Sequence, residues 1–211
     1  MTQLIQAKDI SLEDLQIQFN LQSAAQKDFF NEWQENLPES TEPEKQQLAR
    51  VQQNYFNLSM RRNFSEEAVK MVILSPLLDL AGFYQAPFSI QTEESVEITA
   101  KDEETIVKGT IDVLVVQQQL WVLVIESKST RFDVLTALPQ ALEYMLDTPN
   151  EVRPTYGLLV NGREFVFIEL TQKPIPTYTR SFALSLERGN ELEKALGILK
   201  TIQKRILENT L

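Results

Sequence analysis

The chain has 211 residues, 43% of them hydrophobic, with thirty Asp and Glu against twenty Lys and Arg and a net charge of −10. It contains no cysteine and no histidine, which excludes disulfides, thiol chemistry, imidazole ligands and a Ser-His-Asp triad. Any metal must therefore sit on oxygen, and any general base must be a carboxylate, a lysine, a tyrosine or a metal-bound water. The acidic excess argues against nucleic-acid binding through the bulk field of the protein. No basic start followed by an apolar block opens the chain, and its most apolar stretch, Ile111–Ile125, is too short to span a bilayer. A cytoplasmic protein is expected.

Residues 1–60 hold nine acids and four bases and carry helical signals. Ser11 with Asp14 forms a capping box for a helix expected to run to about Asn36. Leu37–Ser40 is a break, and Thr41 with Glu44, plus Pro43 just inside, restarts a helix whose apolar face is Leu48, Val51, Tyr55 and Leu58. Residues 1–62 are therefore expected to form a helical extension and residues 63–211 the main domain. A further helix starts after Ser65 and stops at Gly82, with Val69, Val72, Ile73, Leu77 and Leu80 on its core face and a kink at Pro76. Phe88–Thr99, Ile106–Val116 and Leu120–Ile125 are then rich in alternating or β-branched residues and predict three strands. Phe132–Leu146 predicts a helix. Thr155–Val160 and Glu164–Leu170 flank Asn161-Gly162, a strong hairpin signal. Thr177–Leu184 predicts a strand and Leu186–Leu207 a closing amphipathic helix. The order implies an α/β fold, a mixed central sheet between helices.

The chemistry concentrates in the hairpin Ile111–Lys128. With a turn centred on Gln119, antiparallel pairing sets Asp112 opposite Glu126. Glu126 and Lys128 are two apart and share a face. Two acids and a lysine thus replace the Val or Ile that a buried strand prefers. Burying two like charges is costly unless a cation lies between them, and carboxylate oxygens are what Mg²⁺ accepts. A nearby lysine can orient a water or stabilise developing negative charge. On this reading the metal-free pair repels, and Asp112→Asn is expected to melt higher than wild type. A Glu126–Lys128 salt bridge at a strand end is the plainer account of the same residues.

The segments Gly109-Thr110-Ile111-Asp112 and Val124-Ile125-Glu126-Ser127-Lys128 resemble the PD-(D/E)xK nuclease superfamily, and more narrowly the N-terminal nuclease domain of type I restriction enzyme R subunits. Gln140-Ala141-Leu142-Glu143-Tyr144 matches the Q-x-x-x-Y motif that those nucleases place on the helix after the lysine, with Gln140 and Tyr144 on one helix face. Ser65-Glu66-Glu67 matches the acidic helix before the sheet. Ile111 stands where the motif has proline.

The resemblance implies a restriction-endonuclease-like core. It implies Asp112, Glu126 and the Ser127 carbonyl as metal ligands, with Glu67 (or Glu66) contributing directly or through water. It makes Lys128 the residue that positions the attacking water, and Gln140 and Tyr144 substrate-contacting or site-orienting groups. The activity implied is a Mg²⁺-dependent DNA endonuclease or exonuclease, with Mn²⁺ as a substitute. DNA and other restriction-system subunits, or further copies of the chain, are the implied partners, with no membrane. A nuclease fold kept as a non-catalytic DNA-binding or protein-docking module is the alternative, and an interaction protein working through residues 1–62 is a third. No P-loop pattern is present, so the helicase-like motor of restriction subunits is missing from this sequence. Ser127-Lys128-Ser129 makes a poor Ser/Lys nucleophile. Arg131, Arg153 and Arg163 are candidate phosphate contacts, and Trp33 and Trp121 are expected to pack.

Overall fold

The structure is a computed structural model that describes residues 3–24, 36–99, 105–117, 120–149 and 152–208. Its nine described strands form one mixed sheet. They are β1 (Gln3–Gln6), β2 (Gln22–Ser23), β3 (Phe88–Thr99), β4 (Thr105–Gln117), β5 (Leu120–Ser127), β6 (Thr155–Val160), β7 (Glu164–Thr171), β8 (Thr177–Arg180) and β9 (Leu184–Ser185). The order is β1-β4-β5-β6-β7-β8-β2, with β3 against β4 and β9 against β7. Helices α1 (Leu12–Phe19) and α5 (Leu138–Leu146) cover one face. Helices α2 (Glu42–Ser59), α3 (Glu66–Val69), α4 (Ser75–Leu80) and α6 (Glu191–Glu208) cover the other. This is the expected helix-flanked mixed sheet. No described helix is long and apolar enough to cross a membrane.

The local signals act as expected where their chemistry is self-contained. Both capping boxes form, Ser11 with Asp14 and Thr41 with Glu44. Asn161-Gly162 turns the β6–β7 hairpin: Gly162 has φ +84°, and Asn161 Oδ1 accepts from the Arg163 and Glu164 amides at 3.1 and 2.8 Å.

Several elements differ. The strand expected over Thr177–Leu184 breaks after Arg180, where the Ser181 hydroxyl accepts from the Phe167 amide, and resumes as β9 on another part of β7. The helix from Ser11 ends at Phe19, where Asn20 takes a left-handed cap, and the chain re-enters the sheet as β2; its expected continuation over 25–35 lies outside the described residues. Residues 1–62, expected to stand apart as a helical extension, lend β1 and β2 to the sheet and Leu48, Val51 and Tyr55 to the core. The helix expected over Phe132–Leu146 starts as a 3₁₀ turn, Val134–Ala137, and becomes α-helical only at Leu138, with Pro139 in its first turn. The closing helix begins at Glu191 because Gly189, at φ +44°, turns the chain first.

Pro76 shapes the region next to the site. Lacking an N–H, it cannot bond four residues back. The turn before it, Lys70–Leu74, is a π-helix, in which the Ser75 amide bonds the carbonyl of Lys70, five residues back. The helix therefore does not simply kink at Pro76 but widens just ahead of it. Such wide turns often mark functional positions.

Candidate functional site

The site lies where β4 loses its neighbour. β3 runs along one side of β4 from Ile106 to Gln117. On the other side β1 pairs with Thr105–Lys108 and β5 with Val113–Gln117. Gly109–Asp112 lies in the gap between them. The expected register holds from Val113↔Ile125 to Val115↔Leu123, which directs Asp112 toward Glu126. It slips by one residue towards the turn, at Val116↔Trp121. Gln118 and Gln119, where the turn was expected, lie outside the described residues.

Side-chain bonds take over where the ladder stops. Asp112 Oδ2 accepts from the Ser127 amide and from Ser127 Oγ, each at 2.7 Å. The Asp112 amide donates to Glu126 Oε1 at 3.4 Å. Lys128 Nζ lies 3.9 Å from Glu126 Oε2 and donates to Gln140 Oε1 at 3.4 Å. Gln140 Nε2 donates to the Tyr144 hydroxyl at 3.1 Å, and that hydroxyl donates to the Thr110 carbonyl at 3.3 Å. The i, i+4 pair on α5 is thus one chain of bonds from the lysine to the stretch of β4 that is open on the side away from β3. Tyr144 is fully buried. Gly109 makes this approach feasible: a Cβ there would collide with the Tyr144 hydroxyl and the Ala7 side chain.

Electrostatically the two hairpin acids differ. Glu126 is only 1% exposed. Its proton affinity is raised well above that of an ordinary carboxyl, by burial first and then by Asp112, with Lys128 opposing. Asp112 is better compensated. Besides the Ser127 donors, its Oδ1 accepts from Lys70 Nζ at 3.2 Å, and the same ammonium donates to Glu93 Oε1 at 2.7 Å. Burial alone would lower the Lys70 pKa; the bond to Glu93 and the charge of Asp112 outweigh it and raise it. Sequence reasoning missed Lys70 and Glu93. With this counter-ion in place, the expectation that Asp112→Asn melts higher no longer follows: the less compensated charge is on Glu126, whose cation, Lys128, stands 3.9 Å away.

The remaining expected residues scatter around this centre. Glu67 is exposed in the first turn of α3, behind the Ser65 cap. Its own backbone amide and the Ser65 hydroxyl lower its pKa most, and Lys70 and Asp112 also act on it. The charge of Glu66 reaches Glu126. Among the described residues, no three acids are arranged to hold a metal ion, so Glu67 does not complete a three-acid cluster with Asp112 and Glu126. Ser127 Oγ donates to Asp112 rather than to Lys128. Arg163 pairs with Glu164 at 3.8 Å. Arg131 lines an open cleft of about 430 Å³ with Glu66, Glu67, Ser129 and Phe132. Arg153 is half-buried in the segment before β6. Trp121 packs against the core, and Trp33 lies outside the described residues.

For a metal, the donor set fits a hard divalent ion in kind. Two carboxylates meet at a buried strand end, one of them sealed and poorly compensated, and the chain has neither thiol nor imidazole to offer. A family model for the type I restriction enzyme R protein N terminus matches residues 20–174, which include every residue of this site. No curated protein matches the chain.

Proposed function

Because the chain belongs to the family of type I restriction enzyme R protein N-terminal domains, we propose that it is a metal-dependent deoxyribonuclease module of the restriction-endonuclease-like class. The observation that carries the reading is the meeting of Asp112 and Glu126 at the open end of β4 and β5, with Lys128 beside Glu126 and tied to Gln140. Asp112, Glu126 and the Ser127 carbonyl would hold Mg²⁺, or Mn²⁺ in its place. When bound, the ion supplies neutralisation of the two carboxylates and polarisation of a phosphodiester.

The chain's own groups then have distinct tasks. Ser127 fixes the Asp112 carboxylate through two donors. Lys128, held by Gln140, orients a water for attack or donates to a phosphate oxygen. Tyr144 anchors Gln140 and the stretch of β4 that is open on the side away from β3. Buried surroundings strengthen each of these interactions.

The net charge of −10 makes DNA affinity by the chain alone weak and steeply salt-dependent. Useful activity then draws on a partner that adds basic surface, such as another restriction-system subunit or a second copy. The alternative, a non-catalytic module, has one observation in its favour: the described residues offer no three-acid metal cluster. Incubation of the purified chain with supercoiled and single-stranded DNA, in Mg²⁺, Mn²⁺ and EDTA, tests the proposal. Cleavage that needs metal and disappears in Lys128→Ala supports it. Cleavage by Lys128→Ala at the wild-type rate removes the lysine from its role, and no cleavage under any condition, with a partner subunit supplied, favours the module.

A further inference from the structure

We infer that Lys70 is a tethered counter-ion that competes with a divalent metal for Asp112, and that Glu93 is the position to which it withdraws. The inference rests on the metal reading above.

Four observations carry it. The Lys70 ammonium bridges two carboxylates of adjacent strands, Asp112 Oδ1 at 3.2 Å and Glu93 Oε1 at 2.7 Å. The β3–β4 register sets Glu93 directly across from Asp112, between the pairs Thr92↔Val113 and Glu94↔Ile111. Glu93 itself holds a left-handed φ of 54°, uncommon for a residue with a Cβ and a mark of local strain. Finally, the partners differ in exposure: the side chains of Lys70 and Asp112 are 19% and 14% exposed, that of Glu93 64%. The inner bond lies at the proposed metal ligand and the outer one in solvent.

The placement follows from the chain. Lys70 follows the last residue of α3 in regular helical geometry and opens the π-turn ahead of Pro76, so it stands one turn after the Ser65 cap, facing β3 and β4. An ammonium on Asp112 Oδ1 blocks that oxygen and repels an approaching divalent ion. For the ion to bind through Asp112, Lys70 must leave it. Glu93 keeps the lysine in a favourable pair when it does, so metal entry does not leave a half-buried ammonium alone.

The site would thus have two states, one closed by a tethered monovalent charge and one open to the metal. Lys70 also lines a groove of about 360 Å³ with Met71, Leu78, Tyr84 and Val113.

The test is Mn²⁺ binding to the full chain by calorimetry, with no DNA and no turnover. Lys70→Gln is expected to bind Mn²⁺ at least about five-fold more tightly than wild type, within the usual range of a coupling between sites. Lys70→Arg, which keeps the charge, should stay near wild type. Lys108→Gln removes a lysine that pairs with Glu97 farther along β4 and should change little. Glu93→Gln should weaken binding in the wild-type background and have no effect in Lys70→Gln, since it acts through the lysine.

Equal or weaker Mn²⁺ binding by Lys70→Gln overturns the inference while leaving the metal site standing. So does an equal gain in Lys108→Gln, which would mark a general field effect. A Glu93→Gln loss that persists without Lys70 makes Glu93 a ligand and overturns its role as the withdrawal position. Absence of binding in both wild type and Lys70→Gln overturns the inference and the metal reading together. Should Lys70→Gln lose the wild-type circular dichroism spectrum, Lys70→Met takes its place under the same criteria.

Discussion

Two buried glutamates, seventeen residues apart in sequence, face opposite fates. Glu126 at the end of β5 and Glu143 on α5 are 1% and 0% exposed, and burial is the main cause of a raised pKa in both. Around Glu126 the chain gathers the Asp112 amide, the Lys128 ammonium and a second acid, Asp112, and through these Gln140 and Lys70. Around Glu143 it gathers no donor: both carboxyl oxygens lack a hydrogen-bond partner, and the charges acting on it are those of Asp147 and Asp14. Burial alone therefore does not mark a site. A site is marked by groups from several elements converging on one carboxyl. Helix α5 serves both regions, with Gln140 and Tyr144 turned to the first and Glu143 to its contact with α1.

The sharpest break in the comparison is in activity. Asp112→Ala, Glu126→Gln and Lys128→Ala should each lower DNA cleavage by about 10³-fold, in the range lost with a positioned catalytic group, whereas Glu143→Gln should lower it less than about three-fold. Supercoiled-plasmid nicking in Mn²⁺ measures all four. Equal losses would erase the distinction.

Stability against pH comes next. The pKa of Glu143 is pushed up to about 8, by burial first and then by Asp147 and Asp14, and that of Asp147 to about 6 by burial. A folded-state value above the unfolded one means that the native state binds the extra proton. Stability is then fully present below about pH 4.5 and is lost as pH rises towards 8. The loss should be on the order of a few kcal/mol. Glu143→Gln should flatten the urea-denaturation free energy over pH 5 to 9; an unchanged slope refutes the assignment.

Gly109→Ala probes the helix that joins the regions. Its methyl meets the Tyr144 hydroxyl and Ala7, so a loss of about 1–3 kcal/mol is expected, with reduced cleavage as the Lys128–Gln140–Tyr144 chain shifts. A thermal melt matching wild type would show that the gap has more room than the structure gives it.

The smallest effect has the most informative sign. In EDTA, Glu126→Gln should melt higher than wild type and Asp112→Asn lower, each by about 1 kcal/mol, because Asp112 has two Ser127 donors and Lys70 at 3.2 Å, whereas Glu126 is more deeply buried with one amide at 3.4 Å and Lys128 at 3.9 Å. Differential scanning fluorimetry decides it, and two shifts of the same sign would mean that the acids are equivalent.

Much of this was legible in the residues. Asp112, Glu126 and Lys128 stand out because strand alternation and hairpin pairing are short-range rules, and charged residues in an apolar strand violate them visibly. Gln140 and Tyr144 follow from helical spacing. Lys70 was not legible: a lysine on a helix is ordinarily a solvated one, and its partners lie on strands 23 and 42 residues away. Glu93 sits among alternating polar residues of β3 and carries no mark of its own. β1 and β2, four and two residues long, are too short for a period to register.

The gap between β1 and β5 also has a history in time. Gln3 pairs with Thr105, about a hundred residues on, and closing so long a loop takes chain entropy before the pairing returns anything. A ribosome releasing about 5–20 residues per second delivers β1 several seconds before the strand that receives it. Through that interval Ala7, the residue after β1 that would meet any Cβ at Gly109, has nowhere to pack. The β4–β5 hairpin can form on its own schedule, but the floor beneath Tyr144 is laid only when β1 and Ala7 come back to β4, so assembly of the candidate site is timed by its most distant contact.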